Sequence, residues 1–200
     1  MALTPSTMLD LGTPAPDFAL PATGGTTVHL EDFEEQPLLV MFICNHCPFV
    51  HHVAPELVRI NDQYAGQIGV VAIQSNDIVT HPDDAPEEMA TEKKARGYAF
   101  PYLFDADQSV AKAFTAACTP DFFFFDADHK LVYRGQLDDS RPHRIASGEY
   151  DERNGLANGQ DLRAAIDAVL AGTPVPEPQR PSAGCNIKWA AGSEPAYFTA

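Results

Sequence analysis

Basic residues are scarce in this chain. Its 13 Lys and Arg stand against 28 Asp and Glu, for a formal charge of -15. A surface of that sign repels phosphate backbones and anionic lipid, so neither nucleic acid nor a membrane is an expected partner. Long apolar runs are also missing. None approaches the roughly 20 residues needed to span a bilayer. The opening stretch, MALTPSTMLDLGTPAPDF, has no basic start followed by an apolar run. It reads as a lead-in rather than a signal peptide, and a cytoplasmic location is the expectation. Four cysteines in 200 residues are too few for a disulfide scaffold. In a reducing compartment, a close pair among them is more often catalytic or metal-binding than structural.

What is present suits a folded domain. Hydrophobic residues make up 44% of the chain, enough for a substantial core. We expect one domain over residues 1–200, with its core at about 12–172 and a Pro-rich tail, 173–200, extended along the surface. LLVMFIC (38–44) is a continuous apolar run of the kind buried strands show, and IGVVAIQSN (68–76) is a second. Between them a helix is expected from Cys47 to Gly66, with Pro48 in its first turn and a kink at Pro55. DDAPEEMATEKKARGY reads as a helix with acids leading and bases trailing. A short strand (100–105) and a short helix (QSVAKAFTA) come next. DFFFFD (121–126) and KLVYRGQL (130–137) form a hairpin pattern, and NGQDLRAAIDAVLAG is the last helix. The order implies an α/β fold with a mixed central β-sheet flanked by helices.

The chemistry concentrates in Cys44-Asn45-His46-Cys47, placed where a buried strand gives way to a helix. Unpaired backbone N–H groups at a helix N-terminus favour an anion, and the thiolate is the reactive form of cysteine. His46 adds a partial or full positive charge beside the sulfurs. A metal reading also fits the residue types: Cys44, Cys47, His51 and His52 could supply sulfur and nitrogen to Cu(I) or Zn(II). His51 and His52 are adjacent, so at most one of them could join such a site.

Five motifs carry a family resemblance: GTPAPDFAL (12–20), FICNHCPFVHH (42–52), CTPDFFFFD (118–126), YRGQLDDSRP (133–142) and GCNIKW (184–189). Through them the chain resembles the thioredoxin-like superfamily, in the redoxin (AhpC/TSA-type) branch that joins thioredoxin to peroxiredoxin. The resemblance implies a thioredoxin-like fold with an N-terminal extension and an extended C-terminal tail. It implies a thiol–disulfide oxidoreductase in which Cys44 is the exposed nucleophile, Cys47 the buried resolving thiol, and Cys44–Cys47 the redox disulfide. His46 would bias the pair toward oxidising others. Thr119 and Pro120 would bind substrate, across a cis bond beside the sulfurs. The partners implied are protein or low-molecular-weight thiols and disulfides and an unidentified reductant, with no cofactor; the oligomeric state stays open.

Within the same resemblance, a peroxiredoxin-type peroxidase would use Cys47, followed by Pro48, as its peroxidatic cysteine. The Thr slot of that motif holds Cys44, and the Arg slot falls on Pro120. Copper-delivery proteins on this fold use a longer cysteine spacing and a distant His. Thioredoxin's buried Asp, six residues before its first Cys, is Leu38 here. Glu56, nine residues beyond Cys47, is a candidate to face the site. Cys118 and Cys185 are accessory candidates. Their plainer roles are a small buried hydrophobe and a tail thiol packed under Trp189, with the tail lying near the site.

Overall fold

The computed structural model describes residues 3–147 and 149–198. Its elements are β1 (Leu3–Pro5), β2 (Ala19–Pro21), β3 (Thr27–His29), β4 (Leu38–Phe42), α1 (Pro48–Gln63), β5 (Gly69–Gln74), α2 (Pro86–Arg96), β6 (Tyr102–Phe104) and α3 (Ser109–Ala113). They continue through β7 (Cys118–Thr119), β8 (Asp121–Phe125), β9 (Leu131–Gly135), β10 (His143–Ala146), β11 (Glu149–Asp151), α4 (Gln160–Leu170) and β12 (Ala183–Asn186).

The central sheet has the order β6-β5-β4-β8-β9. The strands β4, β5 and β6 run parallel, while β8 and β9 are antiparallel additions, so the sheet is mixed as expected. Both faces are covered, and side chains alternate between them with the strand period of two. On β4, Leu39 and Met41 join α1 and α4 in one core cluster. Leu38, Val40 and Phe42 turn to the opposite face and meet α3 and Trp189. The phenylalanines of β8 divide the same way, with Phe122 and Phe124 on one side and Phe123 and Phe125 on the other. That two-sided burial explains why LLVMF and DFFFF carry no polar alternation.

Helix α1 presents Val50, Val53, Leu57 and Ile60 to the first cluster, at the spacing of one helical face. It continues unbroken through Pro55. The expected helix after β5 begins inside its acidic run: a single 3-10 turn at Pro82–Asp84 precedes α2, which carries Glu87 and Glu88 in its first turn.

The tail departs from the surface-extended expectation. β12 is the middle strand of a second sheet, ordered β1-β12-β7. A Cβ on Gly184 would lie 2.0 Å from the Thr119 carbonyl oxygen, so only glycine allows this approach to β7. Trp189 does anchor the tail, in the core cluster with Phe114 and Phe123.

Candidate active site

Cys44 follows the end of β4, and Cys47 is the N-cap residue of α1, with Pro48 opening the helix. Both thiols reach the same residue on β7. The Cys44 sulfur is 3.3 Å from Thr119 Oγ1, and Cys47 as a thiol donates to the Thr119 carbonyl at 3.2 Å. The Thr119–Pro120 bond is cis. The structure therefore brings Cys44, Cys47, Thr119 and Pro120 together.

His46 is fixed by a residue that no sequence motif singles out. Its Nδ1 lies 2.6 Å from Oδ2 of Asp84, a fully buried carboxylate in the 3-10 turn before α2. The other Asp84 oxygen accepts the backbone N–H groups of Asn45 at 2.8 Å and His46 at 3.3 Å. Asn76 adds a side-chain N–H to Oδ2 at 2.8 Å. Burial works to raise the Asp84 pKa, yet these donors outweigh it and the group stays ionised below the usual carboxylate range. Asp84 thus fastens both residues between the cysteines. His81 stacks on the His46 ring at 4.9 Å, and the His46 Nε2 has no hydrogen-bond partner among the described residues.

Neither thiol lies at the surface. Cys44 is not exposed: its relative exposure is 1% and that of Cys47 is 0%. Burial drives the Cys44 pKa up, with the Cys47 and Asp84 charges adding to it. Burial also acts against a Cys47 thiolate, but hydrogen bonds from Cys185, Cys44 and Thr119 overcome it and pull that pKa well down. Of the two sulfurs, Cys47 is the one whose surroundings favour the thiolate. The reason is positional: Cys47 is surrounded by donors, whereas Cys44 is raised by burial and by Cys47 itself, with Asp84 adding to them.

Cys185 was expected near the site, and it lies against Cys47 rather than under Trp189. Their Cα neighbours explain it, since Cys185 pairs with Thr119 across β12 and β7. Cys118 is fully buried and bonds back to the Pro120 carbonyl at 3.6 Å. Burial and the Asp121 charge hold its pKa up, which fits the role of a small buried hydrophobe.

Glu56 does not face the cysteines. It is buried between α1 and α4, where it accepts from Arg59 Nε at 2.5 Å and Arg163 Nε at 2.8 Å. His51 bonds to the Asn45 carbonyl, and His52 lies 2.9 Å from Ser140 Oγ. The set Cys44, Cys47, His51 and His52 is therefore not assembled as metal ligands. Cys44, His46 and Asp84 do bring one ligand atom each within 4.8 Å of one another. Two of those atoms are already bonded to each other, the arrangement of a hydrogen-bonded pair rather than of ligands aimed at a shared cation. Beside His46 and Pro48 there is a cavity of about 640 Å³, lined also by His51, His52, Tyr150 and Glu152.

Residues 11–134 match the model of the AhpC/TSA family, and the chain belongs to that family. The uncharacterized conserved protein of Geobacillus kaustophilus has a crystal structure that superposes with a TM-score of 0.87 at 50% identity, covering 95% of this chain and 97% of that one. The methylamine utilization protein MauD of Paracoccus versutus is 31% identical over 157 residues, which are 78% of this chain and 73% of MauD. The thioredoxin domain of a thiol-disulfide oxidoreductase from Bacteroides vulgatus superposes with a TM-score of 0.56 at 18% identity, covering 66% of this chain and 90% of that domain. The fold is thioredoxin-like.

Proposed function

We propose that the Cys44–Cys47 pair cycles between dithiol and disulfide and that the protein oxidises thiols of protein or small-molecule substrates. The observation that carries this reading is the shared contact of both sulfurs with Thr119, beside the cis Pro120. In the oxidised protein, a substrate thiolate attacks Cys44 and Cys47 leaves. A leaving thiol of low pKa departs faster and makes the reduced form the stable one. The donors gathered on Cys47 supply that property, so the pair favours taking electrons. The cavity lined by His46 and Pro48, the neighbours of Cys47 in the chain, is where we place the approaching substrate. His46, held by Asp84, is a proton carrier on that side, in place of the acid that Leu38 does not provide.

A peroxidase reading has in its favour the AhpC/TSA family match and the position of Cys47, whose pKa is pulled down at the head of α1 and which Pro48 follows. Against it, Cys44 occupies the slot of the polarising hydroxyl. Among the described residues no arginine hydrogen bond reaches either sulfur. The test is direct. Oxidised protein mixed with a peptide dithiol should convert it to the disulfide mole for mole, while Cys44→Ser and Cys47→Ser do not. Peroxide consumption with a rate constant of about 10⁶ M⁻¹s⁻¹, within the range of efficient enzymes, and no dithiol oxidation would overturn the proposal.

A further inference from the structure

The C-terminal strand sets a third thiol against the pair, and the Cys44–Cys47 cycle leaves it unused. Cys185 pairs with Thr119, the residue whose carbonyl accepts from Cys47. Its thiol hydrogen-bonds to Cys47, which also bonds to Cys44. Cys47 is thus the middle of three linked sulfurs. The contact is built into the fold: β12 is held on both edges, by β1 and β7, and Gly184 permits the close approach to Thr119. Cys185 is as buried as the pair itself, and the thiol it contacts is Cys47.

We infer that Cys185 is a third redox thiol that exchanges with the Cys44–Cys47 disulfide to form a Cys47–Cys185 disulfide. The inference rests on the redox reading of Cys44 and Cys47. In the step, the Cys185 sulfur attacks Cys47 Sγ. The bond to Cys44 breaks, the Cys47–Cys185 bond forms, and the Cys185 proton ends on Cys44. No electron enters or leaves, so no oxidant is needed beyond the one that made the first disulfide.

The reduced protein holds Cys185 protonated through its hydrogen bond to Cys47, then through burial and the Cys47 charge, with Lys188 opposing. The two contributions from Cys47 vanish once Cys47 is in a disulfide, and Cys185 becomes easier to ionise at that moment. Exchange moves the disulfide from Cys44, beside His46 and Asp84, to β12. The oxidising equivalent is then held away from Cys44, the sulfur that substrate attacks, until Cys44 attacks back.

The experiment uses the full chain carrying Cys44→Ser, oxidised with glutathione disulfide and mapped by mass spectrometry of its non-reduced peptides. The expected product is a Cys47–Cys185 linked peptide, formed at a rate independent of protein concentration and lost on treatment with dithiothreitol. Cys185 remaining a thiol, whether or not Cys47 carries glutathione, overturns the inference. Wild-type protein treated in parallel should give Cys47–Cys185 beside Cys44–Cys47. Should the variant fail to fold, absence of the Cys47–Cys185 peptide from the wild-type map overturns the inference equally. The wild-type Cys44–Cys47 peptide reports separately on the proposed function.

Discussion

Asp121 opens β8 directly after the cis Pro120 and is fully buried. One carboxylate oxygen accepts the Ala117 N–H at 3.4 Å, and the other has no partner among the described residues. Burial pushes its pKa from 3.8 up to about 7, against weaker opposing hydrogen bonds from Ser6 and backbone amides. At about 1.36 kcal/mol per unit, a shift of that size makes the charged form cost about 4 kcal/mol. The native state then holds a proton that the unfolded chain releases near its ordinary value. Stability contributed by Asp121 is therefore full below about pH 4 and falls as pH rises toward about 7.

Asp121→Asn keeps the shape and removes the titration. Its amide brings a donor with no acceptor waiting, a pH-independent penalty of about 1–3 kcal/mol. The readout is the pH dependence of the difference between variant and wild type, because other carboxylates titrate in both proteins. Urea unfolding at about pH 5 and about pH 8 should show the variant gaining about 2–3 kcal/mol relative to wild type across that interval. An equal difference at both pH values would show that Asp121 does not titrate as its surroundings dictate. The functional stake is local. A charge on Asp121 raises the pKa of Cys118, and holding the acid neutral keeps that charge from the strand carrying Thr119.

Two further outcomes are expected. Asp84→Asn should lower stability at neutral pH by about 3–5 kcal/mol, the cost of breaking a buried charge network. Because the Asp84 pKa is lowered in the fold, that loss should shrink as pH falls below about 4, and a loss unchanged at low pH refutes the assignment. Thiolate absorbance near 240 nm should keep a transition below the ordinary cysteine pKa of about 8.5 in Cys44→Ser and lose it in Cys47→Ser. A low transition surviving in Cys47→Ser would move the anion to Cys44.

The sheet and the cysteine pair were legible because they are local. LLVMF and DFFFF are strands by continuous apolar content, and α1 follows from a one-sided pattern headed by Pro48. Thr119-Pro120 was legible only through resemblance, since an X–Pro pair opening a strand is ordinarily trans. The tail was not legible. AGCN contains no β-branched or aromatic residue, and its pairing depends on Gly184 fitting against Thr119, a relation between distant parts of the chain. Asp84 was read as one of several acids suited to a helix start. Its place beside His46, 38 residues earlier in the chain, leaves no periodic trace. Glu56 illustrates the reverse error, since an acid one helical turn or more from a cysteine points wherever the helix turns it, here to Arg59 and Arg163.

The location of the thiolate follows from where the buried charges stand. Leu38 replaces the acid that thioredoxin carries on this strand, and it lies on the face of β4 opposite the sulfurs. No carboxylate therefore approaches Cys47 from β4. Burial and the neighbouring Cys47 raise Cys44, and Asp84, which enters from the turn before α2 and pairs with His46, adds to them. An anion is thereby disfavoured at Cys44 and accommodated at Cys47, where Thr119, Cys44 and Cys185 all supply protons to the sulfur. A Leu38→Asp change would place a buried charge among Val40, Phe42 and Phe123 rather than beside the pair. Restoring the thioredoxin residue at this position would cost folding without bringing a carboxylate to the sulfurs.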